Sequence, residues 1–129
     1  MKRTILVSAA MMGFLAVALG AFGAHGLEKL VDQDAISTFE TGVRYQIYHA
    51  LFLFVLGMVP DLSLKAQRII YRLVIVGVVF FSFSIYLLAL NSVTAFDFKV
   101  IGIITPIGGT LLLMAWAYMG YQLYKSKLK

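Results

Sequence analysis

TGVRYQIYHAL, residues 41–51, takes a charged segment into an apolar run and carries Arg44, Tyr45, Gln46, Tyr48 and His49 along with it. Around it, Ile36, Phe39, Val43, Ile47, Ala50 and Phe54 recur at intervals of 3, 4, 4, 3 and 4, the spacing of one face of an α-helix. The stripe predicts one continuous helix that starts near Asp34 and enters a membrane around Val43. Gly42, Tyr45, Gln46 and His49 share a different sector, so one side can face lipid and the other protein.

Composition agrees with a lipid environment. The chain has 129 residues, of which 61% are hydrophobic and 13% charged, and its mean hydropathy is +0.91. So much apolar side chain cannot be covered by so little charge in a water-soluble globule of this size. With no cysteine, disulfides, thiolate-bound zinc, iron–sulfur clusters and cysteine nucleophiles are excluded. The net charge of +5 comes from short basic groups between apolar runs, a membrane-topology pattern that speaks against nucleic acid as a partner.

Four spans follow along a single domain, 1–129. The run over 5–24 is about 20 residues, a full bilayer crossing rather than a signal-peptide core. On it, Gly13, Ala16, Gly20, Gly23 and Ala24 make a smooth face for close helix packing. Residues 26–40 carry Glu28, Lys29, Asp32, Asp34 and Glu40 among apolar positions, which suits an interfacial segment between the first two helices. The second span covers 43–59 and ends at Pro60 and Asp61; the third covers 73–90. A helix from residue 98 to residue 124 would measure about 40 Å, longer than a bilayer core of about 30 Å. Thr105 as N-cap and Pro106 as first helical residue set the fourth span at 106–124. The fold class is all-α, an integral membrane four-helix bundle.

Lys2, Arg3, Lys65, Arg68, Arg72, Lys125, Lys127 and Lys129, eight of the eleven basic residues, fall on one side of that arrangement. The positive-inside rule makes that side cytoplasmic, with both termini there. Polar residues gather at the other side: His25, Arg44, Tyr45, Gln46, His49, Tyr86, Asn91 and Thr105 form a candidate outer-leaflet cluster, since polar groups in lipid favour protein partners. Hydrogen bonding is the leading role for the two histidines, ahead of proton or substrate contact and of metal or haem ligation. Two imidazoles with no HxxxH or ExxH spacing make no ligand set, so no metal and no cofactor are assigned. Catalytic residues are likewise unassigned, because neither a nucleophile triad nor a phosphate loop has motif support. Tyr45, Tyr48, Trp116, Tyr118, Tyr121 and Tyr124 read as interface anchors.

GAFGAHGL at 20–27, FETGVRYQIYHAL at 39–51, SFSIYLLAL at 82–90 and ITPIGG at 104–109 together resemble a family of small bacterial inner-membrane proteins of unknown function, typified by YgdD and YwdK. The resemblance spans nearly the whole chain. In that family a glycine stands between the two serines of the third motif; Phe83 stands here and would fill a close helix contact. What the resemblance implies is a multi-span helical protein of the bacterial inner, or plasma, membrane, with no assigned activity. The leading functional reading is a non-enzymatic binding or assembly protein whose partners are membrane lipids, its own copies or another membrane protein. A small oligomeric transporter or channel is the alternative, suggested by Pro106 within an apolar stretch. A histidine-based membrane redox or metal protein comes third.

Overall fold

A computed structural model of the chain describes residues 1–95 and 97–126. Among these, every regular element is helical: α1 (Lys2–His25), α2 (Gln33–Met58), α3 (Leu64–Val78), α4 (Ser84–Ala89) and α5 (Ile104–Lys125). A π-helical segment, Val79–Phe83, joins α3 to α4 without a break, so the elements make four rods. Lys127 and Lys129, counted above among the basic residues, lie outside the described residues.

Local chemistry accounts for both ends of α2 and the start of α3. Asp32 accepts a hydrogen bond from the Ala35 amide at 2.9 Å and starts α2, one turn ahead of the apolar stripe. Val59 ends it in an extended conformation, as the residue before a proline must. Asp61 then takes the left-handed conformation at φ 65°, which a short polar side chain tolerates best after glycine. Ser63 restarts the chain as α3 by accepting from the Ala66 amide at 3.1 Å.

The start of α5 differs from the cap read from sequence. Ile103 occupies the N-cap position and no side chain caps the helix. Thr105 is already helical, and its hydroxyl goes instead to Ser84, 2.5 Å away. Pro106 therefore sits third in the helix, still within the first turn, where a missing N–H costs nothing because no intrahelical acceptor exists there.

Three rods, spanning Lys2–Lys29, Leu64–Ala89 and Lys99–Lys125, are long and apolar enough to cross a membrane. The fourth, α2, has 26 residues, and Arg44, Gln46 and His49 dilute its apolar character. Side by side the order is α1, α2, the α3–α4 rod, α5, with the closest packing between α1 and α2 and between α3 and α5. The smooth face of α1 is spent inside the chain: Ala9, Ala16 and Gly23 are buried, and a Cβ on Gly23 would stand 3.0 Å from the Phe39 ring. Ala24 falls off this face and is exposed. Phe83 is 39% exposed, with its ring 5.7 Å from that of Tyr86 on the same rod.

Buried apolar side chains form two clusters. One contains Ile5, Leu53, Leu56, Ile70, Val74 and Leu112; the other joins Leu27, Ile36, Phe39, Tyr86 and Ala89. Leu27 and Ile36 thereby pin the charged 26–40 segment onto the helices. Between the two clusters lies a polar level.

Candidate functional site

Gln46, 1% exposed, is the hub of that level. Its Nε2 donates to the Met12 carbonyl at 2.9 Å, and its Oε1 accepts from the Tyr86 hydroxyl at 2.6 Å. One amide therefore ties α1, α2 and α4 together, using its donor and acceptor ends separately. Met12 lies about midway along the 24-residue α1, which puts this bond at mid-height and not at a helix end.

Room for Tyr86 comes from Gly42, one turn before Gln46. A Cβ there would stand 2.6 Å from Tyr86 Cε1, a separation no real side chain achieves. The Gly42 carbonyl accepts from Ser82 Oγ at 2.8 Å, fastening α2 to the π-helical segment. Two positions on, Ser84 faces the opposite neighbour. Its one proton is taken by the carbonyls of Phe80 at 2.5 Å and Phe81 at 2.9 Å, so Thr105 is the donor in the Ser84–Thr105 bond that fastens α4 to α5.

His49 is the second hub. It is 4% exposed, its Nδ1 lies 2.7 Å from the Tyr45 carbonyl, and its Nε2 lies 3.0 Å from the indole Nε1 of Trp116. An indole only donates and a carbonyl only accepts. The imidazole is consequently neutral, with its proton on Nδ1 and its Nε2 lone pair on Trp116. Phe52 completes the contact, its ring 4.5 Å from that of Trp116.

The eight cluster residues thus divide. Gln46 and Tyr86 meet directly; His49 and Tyr45 meet through a backbone carbonyl; Thr105 belongs to a separate bond with Ser84. Arg44 is exposed on the flank of α2, as is His25 at the end of α1, and neither a hydrogen bond nor a ring contact joins His25 to His49. Asn91 opens the 3-10 turn after α4, and its carbonyl accepts from the Thr94 hydroxyl at 3.2 Å.

Several members of this network have no counterpart in the sequence reading. Ser8 and Tyr71 share a 2.6 Å bond between α1 and α3, and Gln67 donates to the Leu62 carbonyl at 3.1 Å. Ser82 and Ser84 are ordinary small residues in sequence, and Trp116 reads there as a membrane-interface anchor. The available signal was the SFS triplet, whose two hydroxyls must find acceptors on opposite sides of a helix in lipid. Among the described residues, no buried side-chain nitrogen or oxygen lacks a partner, and no three His, Cys, Asp or Glu side chains converge as metal ligands.

Comparison with known proteins places this chain in a family. A family model described as "Protein of unknown function (DUF423)" matches residues 19–109, the stretch that holds Gln46, His49, Ser82, Ser84, Tyr86 and Thr105. The chain is 38% identical over 127 residues to a UPF0382 membrane protein of Haemophilus influenzae, covering 98% of each. It is 37% identical over 121 residues to the UPF0382 inner membrane protein YgdD of Escherichia coli, covering 92% of this chain and 87% of that one. With the UPF0382 membrane protein YwdK of Bacillus subtilis it shares 35% identity over 116 residues, 88% of this chain and 90% of the relative. No solved structure matches it. The chain belongs to the DUF423 family, whose members in these comparisons are named UPF0382 membrane proteins.

Proposed function

We propose that the chain is a multi-pass inner-membrane protein, a bundle of four membrane-crossing helices with both termini in the cytoplasm, which holds the acyl chain of a membrane lipid in a groove between α2 and α5. The observation that carries the binding role is the groove itself. Each of these helices packs on the α3–α4 rod, and Trp116 bridges the space between them. On one side of the indole is a cavity of about 380 Å³ lined by Tyr45, His49, Phe81 and Pro106; on the other is one of about 350 Å³ lined by Leu51, Val55, Met119 and Gly120. A Cβ on Gly120 would meet nothing within 4 Å, so the glycine serves no contact within the chain. A flexible hydrocarbon chain can follow both, past the half-exposed indole of Trp116.

Native mass spectrometry of protein extracted in mild detergent tests this. The wild-type chain is expected to carry a lipid-mass adduct, and Gly120→Phe, which fills the second cavity, to lose most of it. A bare protein, a multiple of the chain mass without lipid, or an adduct that Gly120→Phe leaves in place would overturn the proposal.

The topology draws support from the contacts at one end of the molecule. The Ser8–Tyr71 bond brings the start of α1 beside the start of α3, and Lys125 lines a cavity with Asp61 and Ser63. Lys2, Arg3, Lys65, Arg68, Arg72 and Lys125 therefore share an end, as the positive-inside rule asks of a cytoplasmic face. Single cysteines at Leu64 and Ser92, both exposed, check it without touching the Ser63 cap: an impermeant thiol reagent added to cells with a permeabilised outer envelope should label Ser92→Cys and spare Leu64→Cys. The reverse pattern would invert the topology.

A further inference from the structure

The His49–Trp116 bond has a property that follows from its donors and acceptors alone. Because the indole N–H can only donate, it needs the Nε2 lone pair of His49, and because the Tyr45 carbonyl can only accept, the imidazole proton is held on Nδ1. An imidazolium carries N–H groups on both nitrogens. A second proton would sit on Nε2 and confront the indole N–H 3.0 Å away, so protonation of His49 and its bond to Trp116 are mutually exclusive.

That bond also stands at a mechanically exposed place. Trp116 fills the space between α2 and α5 at this level with its hydrogen bond to His49 and its ring contacts to Phe52 and His49, at 4.5 and 6.0 Å. It lines the cavities on both sides and is itself 52% exposed, so an unlatched indole has somewhere to go.

We propose that His49 and Trp116 form a proton-operated latch: a proton gained at His49 Nε2 breaks the bond, releases the indole from between α2 and α5, and widens the groove at this level. The neighbouring groups do not compete for this role. From α2 the other titratable groups near the cavities are the phenols of Tyr45 and Tyr48. The π-helical segment contributes the apolar ring of Phe81. From α5 come Pro106, Gly109, Thr110, Leu112 and Leu113, none ionisable, and the Thr110 hydroxyl is already given to the Pro106 carbonyl at 2.9 Å. The latch depends on these groups and not on what occupies the groove.

Trp116 is the only tryptophan in the chain, so its intrinsic emission reports on the latch directly. Purified full-length protein in lipid nanodiscs is titrated from about pH 8 to about pH 4.5, across the range where imidazole changes charge. The expected result is a shift in emission maximum and intensity that follows a single-proton curve, spread over about two pH units. His49→Gln, which can still accept from the indole but does not titrate, should abolish the shift. A wild-type emission flat across the range, or the same curve in His49→Gln, overturns the latch. If His49→Gln does not accumulate, quenching of wild-type Trp116 by a spin-labelled acyl chain decides: accessibility that rises on acidification supports the latch, and accessibility that stays constant overturns it.

Discussion

Gly108→Ala will cost about 3 kcal/mol of stability, at the top of the usual range for overpacking, read as a lowered unfolding midpoint in detergent. The added methyl group would meet the Phe81 amide nitrogen, the Phe80 carbonyl carbon at 2.7 Å and the Gly77 carbonyl oxygen at 2.8 Å. All three are backbone atoms, and none can rotate away as a side chain would. The contact sits where the first turns of α5 cross the end of α3 and the π-helical segment, so relief requires the two helices to separate. Separation would also pull Thr105 from Ser84 and Leu112 from Gly77. Gly109→Ala is the control: a methyl group there lies 3.6 Å from the Phe81 ring, an ordinary contact. That variant should be neutral or gain up to about 1 kcal/mol from better helix propensity. Equal effects of the two substitutions would show that α5 does not approach the rod this closely.

The second large effect belongs to Gln46→Leu, for which a loss of about 2 kcal/mol is expected. The substitution keeps the volume but leaves the Tyr86 hydroxyl, buried against α2, without its acceptor and the Met12 carbonyl without its extra donor. A buried polar group left unpaired costs about 1 to 3 kcal/mol, while interhelical hydrogen bonds in membrane proteins average about 0.6 kcal/mol each. The prediction takes the middle of the first range because one partner, Tyr86, cannot turn to solvent. Tyr86→Phe removes the orphan instead of creating it, so the double variant should be more stable than the sum of the single losses predicts. Strict additivity of the two would mean that Gln46 and Tyr86 do not interact. A thermodynamic cycle on detergent-solubilised protein measures this directly.

Both predictions turn on features that local sequence shows only in outline. The helices themselves were legible, because apolar runs of bilayer length and a 3.6-residue stripe depend on neighbours along the chain. The stripe through Ile36, Phe39, Val43, Ile47 and Ala50 places α2 correctly from its first turn. Nothing in ITPIGG separates Gly108 from Gly109. Only the crossing angle of α5 on the rod decides which glycine meets backbone and which meets a ring.

Gln46, His49 and Tyr86 could likewise be recognised as polar groups needing partners, since lipid offers none. Who those partners are is a long-range question. Met12 is 34 positions from Gln46 and Trp116 is 67 from His49, and no spacing rule reaches so far. The same gap explains why Trp116 reads as an interface anchor: an aromatic with one polar atom suits the headgroup region and an interhelical bond equally well. It also explains the Thr105 cap. A threonine ahead of proline favours a helix start on local grounds, but its hydroxyl follows the stronger claim of Ser84 on a neighbouring helix.

By itself, then, the sequence determined that this chain folds as helices suited to lipid, with α3 beginning nine residues ahead of the apolar run read over 73–90, and it marked the polar groups that need partners. Those are consequences of backbone hydrogen bonding and of hydrophobic burial, which act over one or two turns. The tertiary structure alone decided the pairing of each donor with its acceptor, the neutral state of His49, the passage of α5 against bare backbone at Gly108, and the groove left open between α2 and α5. Each depends on the distance and rotation between helices remote in sequence, and those are set by the packing of all four rods at once.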